Sequence, residues 1–125
     1  MNLRSDARRY EAGSFNILGI AGLNTALGML LEVGIDNIAA DLAAKRAWLV
    51  EALKKKGYEV FHSDAVSGIT SCWCEGTDMK APGEKLAAEN IVASMRGDRS
   101  GQDYLRFSPH FYNTQSELER AVELL

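Results

Sequence analysis

The sequence is poor in the features that mark extracellular, nucleic-acid-binding and membrane proteins. It has only two cysteines, Cys72 and Cys74, and residues two apart on one face of a strand cannot easily bridge to each other. A net charge of −3 provides no basic surface for nucleic acid or anionic lipid. No apolar run approaches the length of a bilayer span, and the segment after Met1 lacks a signal-peptide core. We therefore expect a reduced, cytoplasmic protein without nucleic-acid or membrane partners.

What is present is typical of one globular domain. The 125 residues are 46% hydrophobic and 25% charged, which is ordinary for a folded domain of this length. Residues 1–12 are charged and lack an apolar stripe. They are either a solvated lead-in or the end of a connector to a larger domain.

Two long helices are predicted first. Residues 17–33 are apolar on most sides and contain several glycines, which predicts a helix packed against more than one neighbour. Gly34 ends it, and Asp36 or Asn37 is expected to cap a second helix that stops at Gly57. Lys45 and Arg46 are expected on the solvent side of this second helix.

Short strands and helices follow. Aromatic, β-branched and apolar residues predict strands at 58–61, 67–74, 91–95 and 104–107. A short helix is predicted over 84–90, and Pro82, just before it, is well placed for the first turn of a helix. This order predicts an α+β fold, a small and mostly antiparallel sheet of three to four strands with helices packed on one face.

The segment 104–114 contains the most specific local pattern. It reads as a strand, a polar turn containing Pro109, and a helix that begins with a capping box formed by Thr114 and Glu117. Arg106 lies near the end of that strand. Its planar guanidinium suits two-point binding of a carboxylate, although a structural ion pair is the plainer interpretation of an isolated arginine.

Three other groups of residues are weaker candidates for a functional site. Gly13 and Ser14 precede a helix, where amides and a hydroxyl can hold phosphate, but a serine there is more often only a cap. The two cysteines are separated by one residue, which is the wrong spacing for zinc. We expect buried cysteines and no metal. His110 is expected to stabilise its turn, with acid–base work as the alternative.

The segment 104–114 resembles the closing motif of the class V aminotransferases, enzymes of fold type I that use pyridoxal phosphate. Their small C-terminal domain ends in Arg-x-Ser, then Tyr-Asn-Thr and an acidic helix, matched here from Arg106 to Thr114. Tyr10 to Asn16 resembles their Glu-x-Gly-Thr-Pro-Asn segment, with Ser14 for threonine and Phe15 for proline. The resemblance covers nearly the whole chain and implies a connector remnant at 1–12 and the small domain at 13–125.

The resemblance also implies roles for individual residues. Arg106 would hold the α-carboxylate of an amino-acid substrate, and Arg96 would be a second arginine near the substrate. Gly13 and Ser14 would contact the cofactor phosphate of the neighbouring subunit in a homodimer. In cysteine desulfurases of the same superfamily the reactive cysteine precedes the Arg-x-Ser strand. The corresponding loop here, 96–103, has no cysteine, which argues against a desulfurase.

These observations lead to one functional hypothesis and one alternative. The family's Schiff-base lysine and its carboxylate partner belong to the large domain, and Lys80 and Lys85 lack that context. The chain is therefore expected to be the small domain of an aminotransferase-like enzyme and inactive by itself. The alternative is a self-sufficient α+β module that binds a small ligand or dimerises. Exposure of the apolar helix 17–33 would favour the first hypothesis.

Overall fold

The computed structural model of the chain describes residues 4–11 and 13–125. They group into two compact units, Met1–Ile35 and Asp36–Leu125. The first unit contains a short 3-10 helix, Ala7–Tyr10, and helix α1, Ile17–Val33. The predicted bounds of α1 are confirmed: the Asn16 side chain accepts a hydrogen bond from the Gly19 amide at 3.0 Å, and Gly34 follows with a φ of 91°.

Helix α1 is unusual because its apolar side chains are not buried. None of its 17 residues is buried in this chain. Its exposed large apolar side chains are Ile17, Leu18, Ile20, Leu23, Leu27, Met29 and Leu31. No single helix among the described residues is long and apolar enough to cross a membrane, and α1 reaches that length only when it is counted together with the helix that follows it.

The second unit is built on an antiparallel sheet. Helix α2 spans Ile35–Lys55, strand β1 Glu59–Val60, strand β2 Thr70–Trp73, helix α3 Lys80–Ala88, strand β3 Ser94–Gly97, strand β4 Asp103–Phe107 and helix α4 Gln115–Glu123. The strands lie in the order β1-β2-β4-β3, and all three pairs are antiparallel. The predicted α+β class and the small antiparallel sheet are confirmed.

The core lies between one face of this sheet and the three helices α2, α3 and α4. Alternate strand residues point into it, because successive side chains of a strand face opposite sides. The strands contribute Val60, Cys72, Leu105 and Phe107, and the helices contribute Leu49, Leu53, Leu86 and Val122. Helix α3 approaches the sheet closely at Gly83, where an added Cβ would lie 3.2 Å from the Met95 sulfur. The opposite face of the sheet carries no helix of this unit.

Several predicted details are wrong. Helix α2 begins directly at Ile35, so Asp36 lies inside its first turn and does not cap it. Helix α3 begins at Lys80, so Pro82 is its third residue, where a missing amide is still tolerated. Strand β3 begins three residues later than predicted. The apolar run 91–93 follows the helix instead, and the Ile91 amide donates to the Leu86 carbonyl.

Candidate functional site

The open face of the sheet brings Arg96 and Arg106 together. In β4, Leu105 and Phe107 are buried in the core, so Tyr104 and Arg106 point to the other face. Arg106 lies across from Ser71 on β2 and from Ser94 on β3. Arg96 lies across from Tyr104. The two arginines are therefore diagonal neighbours on adjacent strands, with Cβ atoms about 7–8 Å apart by ordinary sheet geometry.

Arg106 occupies a central strand and has an unsatisfied donor. Its Nε is buried and has no hydrogen-bond partner in the described part of the chain. None of the three ion pairs found among residues 4–11 and 13–125 includes it. The structural ion pair considered from sequence is thus not formed within the described residues. A buried guanidinium nitrogen without an acceptor is costly, and an external acceptor would remove that cost.

Arg96 is more exposed than Arg106, and its guanidinium is also free to bind a ligand. Its Nη1 donates to the Met95 carbonyl at 3.0 Å, which leaves most of its fork free. No carboxylate among the described residues pairs with it. The open face therefore presents two guanidinium groups without a counter-ion.

An aromatic cluster, defined by Phe61, Trp73 and Tyr104, lies on the same face. The ring centroids of Trp73 and Tyr104 are 5.3 Å apart, and those of Phe61 and Tyr104 are 5.8 Å apart, both edge to face. Such contacts hold flat rings in fixed orientations. Phe61 is nevertheless half exposed. The cluster gives the arginines an apolar border on the side of β1 and β2.

The loop between β3 and β4 is closed by one carboxylate. Asp98 accepts hydrogen bonds from the Ser100 hydroxyl at 2.6 Å, from the amides of Ser100 and Gln102, and from the Tyr104 hydroxyl at 3.0 Å. These donors lower the pKa of Asp98, the Ser100 hydroxyl having the largest effect. The loop is therefore a structured turn in which Arg99 carries no ion pair within the described residues.

Gly13 and Ser14 lie in the first unit, ahead of α1. Both are exposed, and an added Cβ on Gly13 would meet no atom within 4 Å. Asn16 provides the side-chain cap of α1, so the Ser14 hydroxyl is not used as the cap. The phosphate role of Gly13 and Ser14 stays a prediction.

Sequence reasoning missed the structural importance of Lys45 and Arg46. Both were expected in solvent and both are buried, at 8% and 6% exposure. Arg46 donates to the carbonyls of His62, Ala65 and Ile69 and to the Thr70 hydroxyl. This fixes the loop that leads from Phe61 into β2, and with it one border of the open face. Lysine and arginine are mostly surface residues and are rarely buried without such partners. Nothing in the local sequence therefore distinguished Lys45 and Arg46 from exposed residues.

Lys45 holds the turn that follows β4 through two backbone carbonyls and one acid. Its Nζ donates to Asp41 and to the carbonyls of His110 and Phe111, the last at 3.2 Å. The His110 amide donates to the Asn113 side chain at 2.9 Å, and the His110 ring stacks on Tyr112 with centroids 5.2 Å apart. These contacts fit the predicted turn-stabilising role. The buried Nδ1 of His110 has no partner among the described residues.

The cysteines contribute no cluster of ligands. Both are free, with Cys72 buried on β2 and Cys74 half-buried just beyond it. Burial raises the pKa of the Cys72 thiol to about 12, which keeps it protonated and unreactive at neutral pH. In residues 4–11 and 13–125 no group of three or more histidine, cysteine or acidic side chains is arranged to hold a metal.

Two clefts are found elsewhere in the second unit. One, of about 320 Å³, lies between the end of β4 and the first turns of α4 and is lined in part by Asn90, Pro109, Glu117 and Arg120. The other, of about 340 Å³, lies between α2 and the 63–67 loop. Neither is lined by Arg96 or Arg106. The candidate site lies on the open face of the sheet, apart from both clefts.

The family model for class V aminotransferases matches residues 1–121. The chain belongs to this family, whose members depend on pyridoxal phosphate.

Curated relatives are much longer than this chain. A probable cysteine desulfurase of Xylella fastidiosa is 30% identical over 94% of the chain, and an uncharacterized aminotransferase of Bacillus subtilis is 24% identical over 94%. In both cases the match covers 30% of the relative. The chain thus spans about a third of the length of the curated relatives it matches.

Solved structures show the same fold. A cysteine desulfurase from Thermococcus onnurineus superposes over 98% of the chain with a TM-score of 0.85 and 20% identity. The Escherichia coli cysteine desulfurase CsdA superposes over 97% with a TM-score of 0.81 and 24% identity. The chain covers 34% and 32% of these proteins.

The described residues do not form a complete cofactor site. A pyridoxal phosphate enzyme needs a lysine and a carboxylate that faces the pyridine nitrogen. Lys80 and Lys85 are exposed on α3, and no acid is paired with either in the described chain. The residues here do not fit the whole cofactor, so no step of its chemistry is assigned to this chain.

Proposed function

We propose that this chain is the C-terminal small domain of a pyridoxal phosphate enzyme that acts on an amino acid. The observation that carries the proposal is the class V match over residues 1–121. Arg106 in the Arg-x-Ser position supports it, because its buried Nε has no hydrogen-bond partner among the described residues. In the whole enzyme the cofactor supplies an electron sink for the substrate's Cα chemistry. Residues 1–12 are the remnant of a connector, and 13–125 form the domain.

Arg106 is proposed to bind the substrate α-carboxylate. A guanidinium presents two parallel N–H donors that match both carboxylate oxygens. The central strand β4 is held by two neighbours, so the arginine is presented from a rigid element. Arg96 is proposed as the second substrate-contacting arginine. Gly13 and Ser14 are proposed to contact the cofactor phosphate across a homodimer interface.

The chain is proposed to need a large catalytic domain as its partner. The exposed apolar side chains of α1 support this, because exposed apolar surface of that extent usually marks an interaction site. The lengths of the relatives support it as well. We propose that the enzyme works in the cytoplasm, consistent with two unpaired cysteines.

The reaction is proposed to be something other than sulfur transfer from a loop cysteine. The loop between β3 and β4 is held closed by Asp98 and contains no thiol. A transaminase, lyase or epimerase reaction needs no thiol there. The proposed reaction therefore differs from the one for which the cysteine desulfurase relatives are named.

The test is an absorbance titration of the chain with pyridoxal phosphate. We expect only a weak, non-saturable change, equal to that produced by free lysine at the same amine concentration, since exposed lysines react unspecifically. The variants Lys80→Ala and Lys85→Ala should give the same curve. A saturable change abolished by one lysine substitution would contradict the proposal that this chain lacks the cofactor lysine.

A further inference from the structure

Among residues 4–11 and 13–125, no carboxylate forms an ion pair with either arginine of the open face. The described residues form three ion pairs, Arg8–Asp6, Lys45–Asp41 and Arg120–Glu89. The carboxylate of the adjacent loop, Asp98, is already occupied by Ser100, Gln102 and Tyr104 donors. Arg96 and Arg106 therefore present two positive charges that no described acid neutralises.

Two such arginines side by side on one sheet face can hold an anionic ligand between them. Arg96 and Arg106 are diagonal neighbours on β3 and β4, so one ligand can reach both guanidinium groups. Arg106 carries the cost of a buried Nε that has no acceptor among the described residues. One monocarboxylate held by Arg106 would remove that cost and leave Arg96 without an anionic partner.

We propose that Arg96 and Arg106 together bind a ligand with two anionic groups, so that the substrate is an amino acid with an acidic side chain. This inference rests on the proposed function, in which Arg106 takes the α-carboxylate, and adds that Arg96 takes the distal acid. A separation of about 7–8 Å between the Cβ atoms lets both side chains converge on the two ends of a short dicarboxylate. Each guanidinium then makes a forked, charge-assisted contact.

The surroundings restrict where such a ligand lies. Trp73 and Tyr104 form an edge-to-face pair with centroids 5.3 Å apart, and Phe61 adds a second contact to Tyr104. These rings border the face toward β1 and offer no charged donor. The ligand's second anionic group is thus directed toward β3, where Arg96 lies across from Tyr104.

The experiment compares L-aspartate with L-asparagine, which differ by one charge at nearly constant size. Both are titrated into ¹⁵N-labelled chain at fixed ionic strength, and the shifts of amides in β3 and β4 are followed. We expect aspartate to bind about tenfold tighter than asparagine. In Arg96→Met that preference should fall to within about twofold, because aspartate loses the contact of its second carboxylate.

Three further variants make the result interpretable. Arg106→Met should abolish binding of both amino acids, and Arg106→Lys, which keeps the charge and protects the fold, should weaken both. The loop arginine serves as the matched control, because Arg99→Met removes an unpaired charge without touching the face and should leave both affinities unchanged. Each variant must retain a dispersed amide spectrum.

The outcomes separate this inference from the proposed function. If aspartate and asparagine bind equally through Arg106, the two-anion site is wrong and the α-carboxylate role of Arg106 stands. If neither amino acid binds, or if both bind to Arg106→Met as they do to the unaltered chain, the role of Arg106 fails and the two-anion site fails with it. An aspartate preference that Arg99→Met also removes would show unspecific attraction and would overturn the inference.

Discussion

At the scale of single residues, Arg46 connects the helical layer to the border of the candidate site. It is buried and donates to four oxygens in and beside the 62–70 segment. Because none of these acceptors is charged, its stabilising effect comes from satisfying buried carbonyls and a hydroxyl, not from an ion pair. The open face depends on this contact, since Phe61 and Ser71 flank the segment it fixes.

The substitution Arg46→Met should lower the free energy of unfolding by about 3 kcal/mol, because several buried acceptors lose their donor at once. Urea denaturation followed by circular dichroism measures the change. Arg99→Met, at an exposed loop position, is the control and should change the value by less than about 0.5 kcal/mol. A loss below about 1 kcal/mol in Arg46→Met would show that water replaces the guanidinium.

The two thiols should differ sharply in reactivity. Cys72 is buried and its pKa is raised to about 12, whereas Cys74 is half-buried. At pH 8 a disulfide reagent should therefore modify Cys74 in the folded chain and Cys72 only after unfolding. The Cys74→Ala variant should show no modification before denaturant is added. Fast labelling of this variant would mean that the core around β2 opens readily.

The raised pKa of Cys72 also predicts a loss of stability in base. The thiol ionises in the unfolded chain near its ordinary value of 9.0 but in the folded chain only near 12. Stability from this group is fully present below pH 9 and is lost as the pH rises from 9 toward 12. Unfolding midpoints measured across that range should fall, and a flat profile would indicate that Cys72 is solvated.

At the scale of elements, helix α4 begins with a capping box that the sequence predicted. The Thr114 hydroxyl accepts from the Glu117 amide at 3.3 Å, and the Glu117 carboxylate accepts from the Thr114 amide at 2.7 Å. Thr114→Ala should cost about 1 kcal/mol in unfolding free energy. Thr77→Ala, an exposed threonine in a turn, is the matched control. Equal effects of the two substitutions would contradict a capping role.

The capping box of α4 also predicts that the folded chain loses stability in acid. The pKa of Glu117 is lowered, chiefly by the Thr114 amide and then by the Asn113 side chain. A lowered pKa means that the stabilising effect is present above the unfolded value of 4.5 and is lost as the pH falls below it. Glu117→Gln should flatten the acid limb of the stability profile. An unchanged limb would place the acid sensitivity elsewhere.

How much of each element could be predicted depended on how local its cause is. The α4 cap and the glycine ends of α1 and α2 depend on residues within one turn, and all were predicted. Strand β3 was placed three residues early because Ile91 and Val92 look like strand residues. In the fold, Asn90 takes a φ of 61° and turns the chain out of α3 first. That turn is a Schellman cap, in which the Asn90 amide donates to the Ala87 carbonyl and the Ile91 amide to the Leu86 carbonyl. Asparagine is one of the residues that favour this cap, so a local signal was present and the strand-like residues that follow it were given too much weight.

The site was predictable in part. Arg96 and Arg106 were both selected from sequence, and the register places them on one face. Their juxtaposition could not be predicted, because it depends on the pairing of β3 with β4. The long-range contacts of Lys45 and Arg46 were missed for the same reason, since all of their acceptors except Asp41 lie 16 to 66 residues away.

At the scale of the whole molecule, the exposed apolar surface of α1 should govern association. We expect the chain to self-associate with increasing concentration in sedimentation experiments, since α1 has no buried residue. Leu23→Lys should shift the chain toward monomer, whereas Asn24→Lys, which adds the same charge next to it, should not. A chain that stays monomeric at all concentrations and binds no apolar dye would favour the self-sufficient module.

We propose that this chain is one domain of a larger pyridoxal phosphate enzyme, and sequencing the DNA upstream of the Met1 codon is the most decisive test. A reading frame should then continue upstream without interruption. That frame should encode a large domain with a lysine for the cofactor and an earlier acidic residue for its ring nitrogen. An in-frame stop codon followed by a ribosome-binding site at Met1 would contradict the claim.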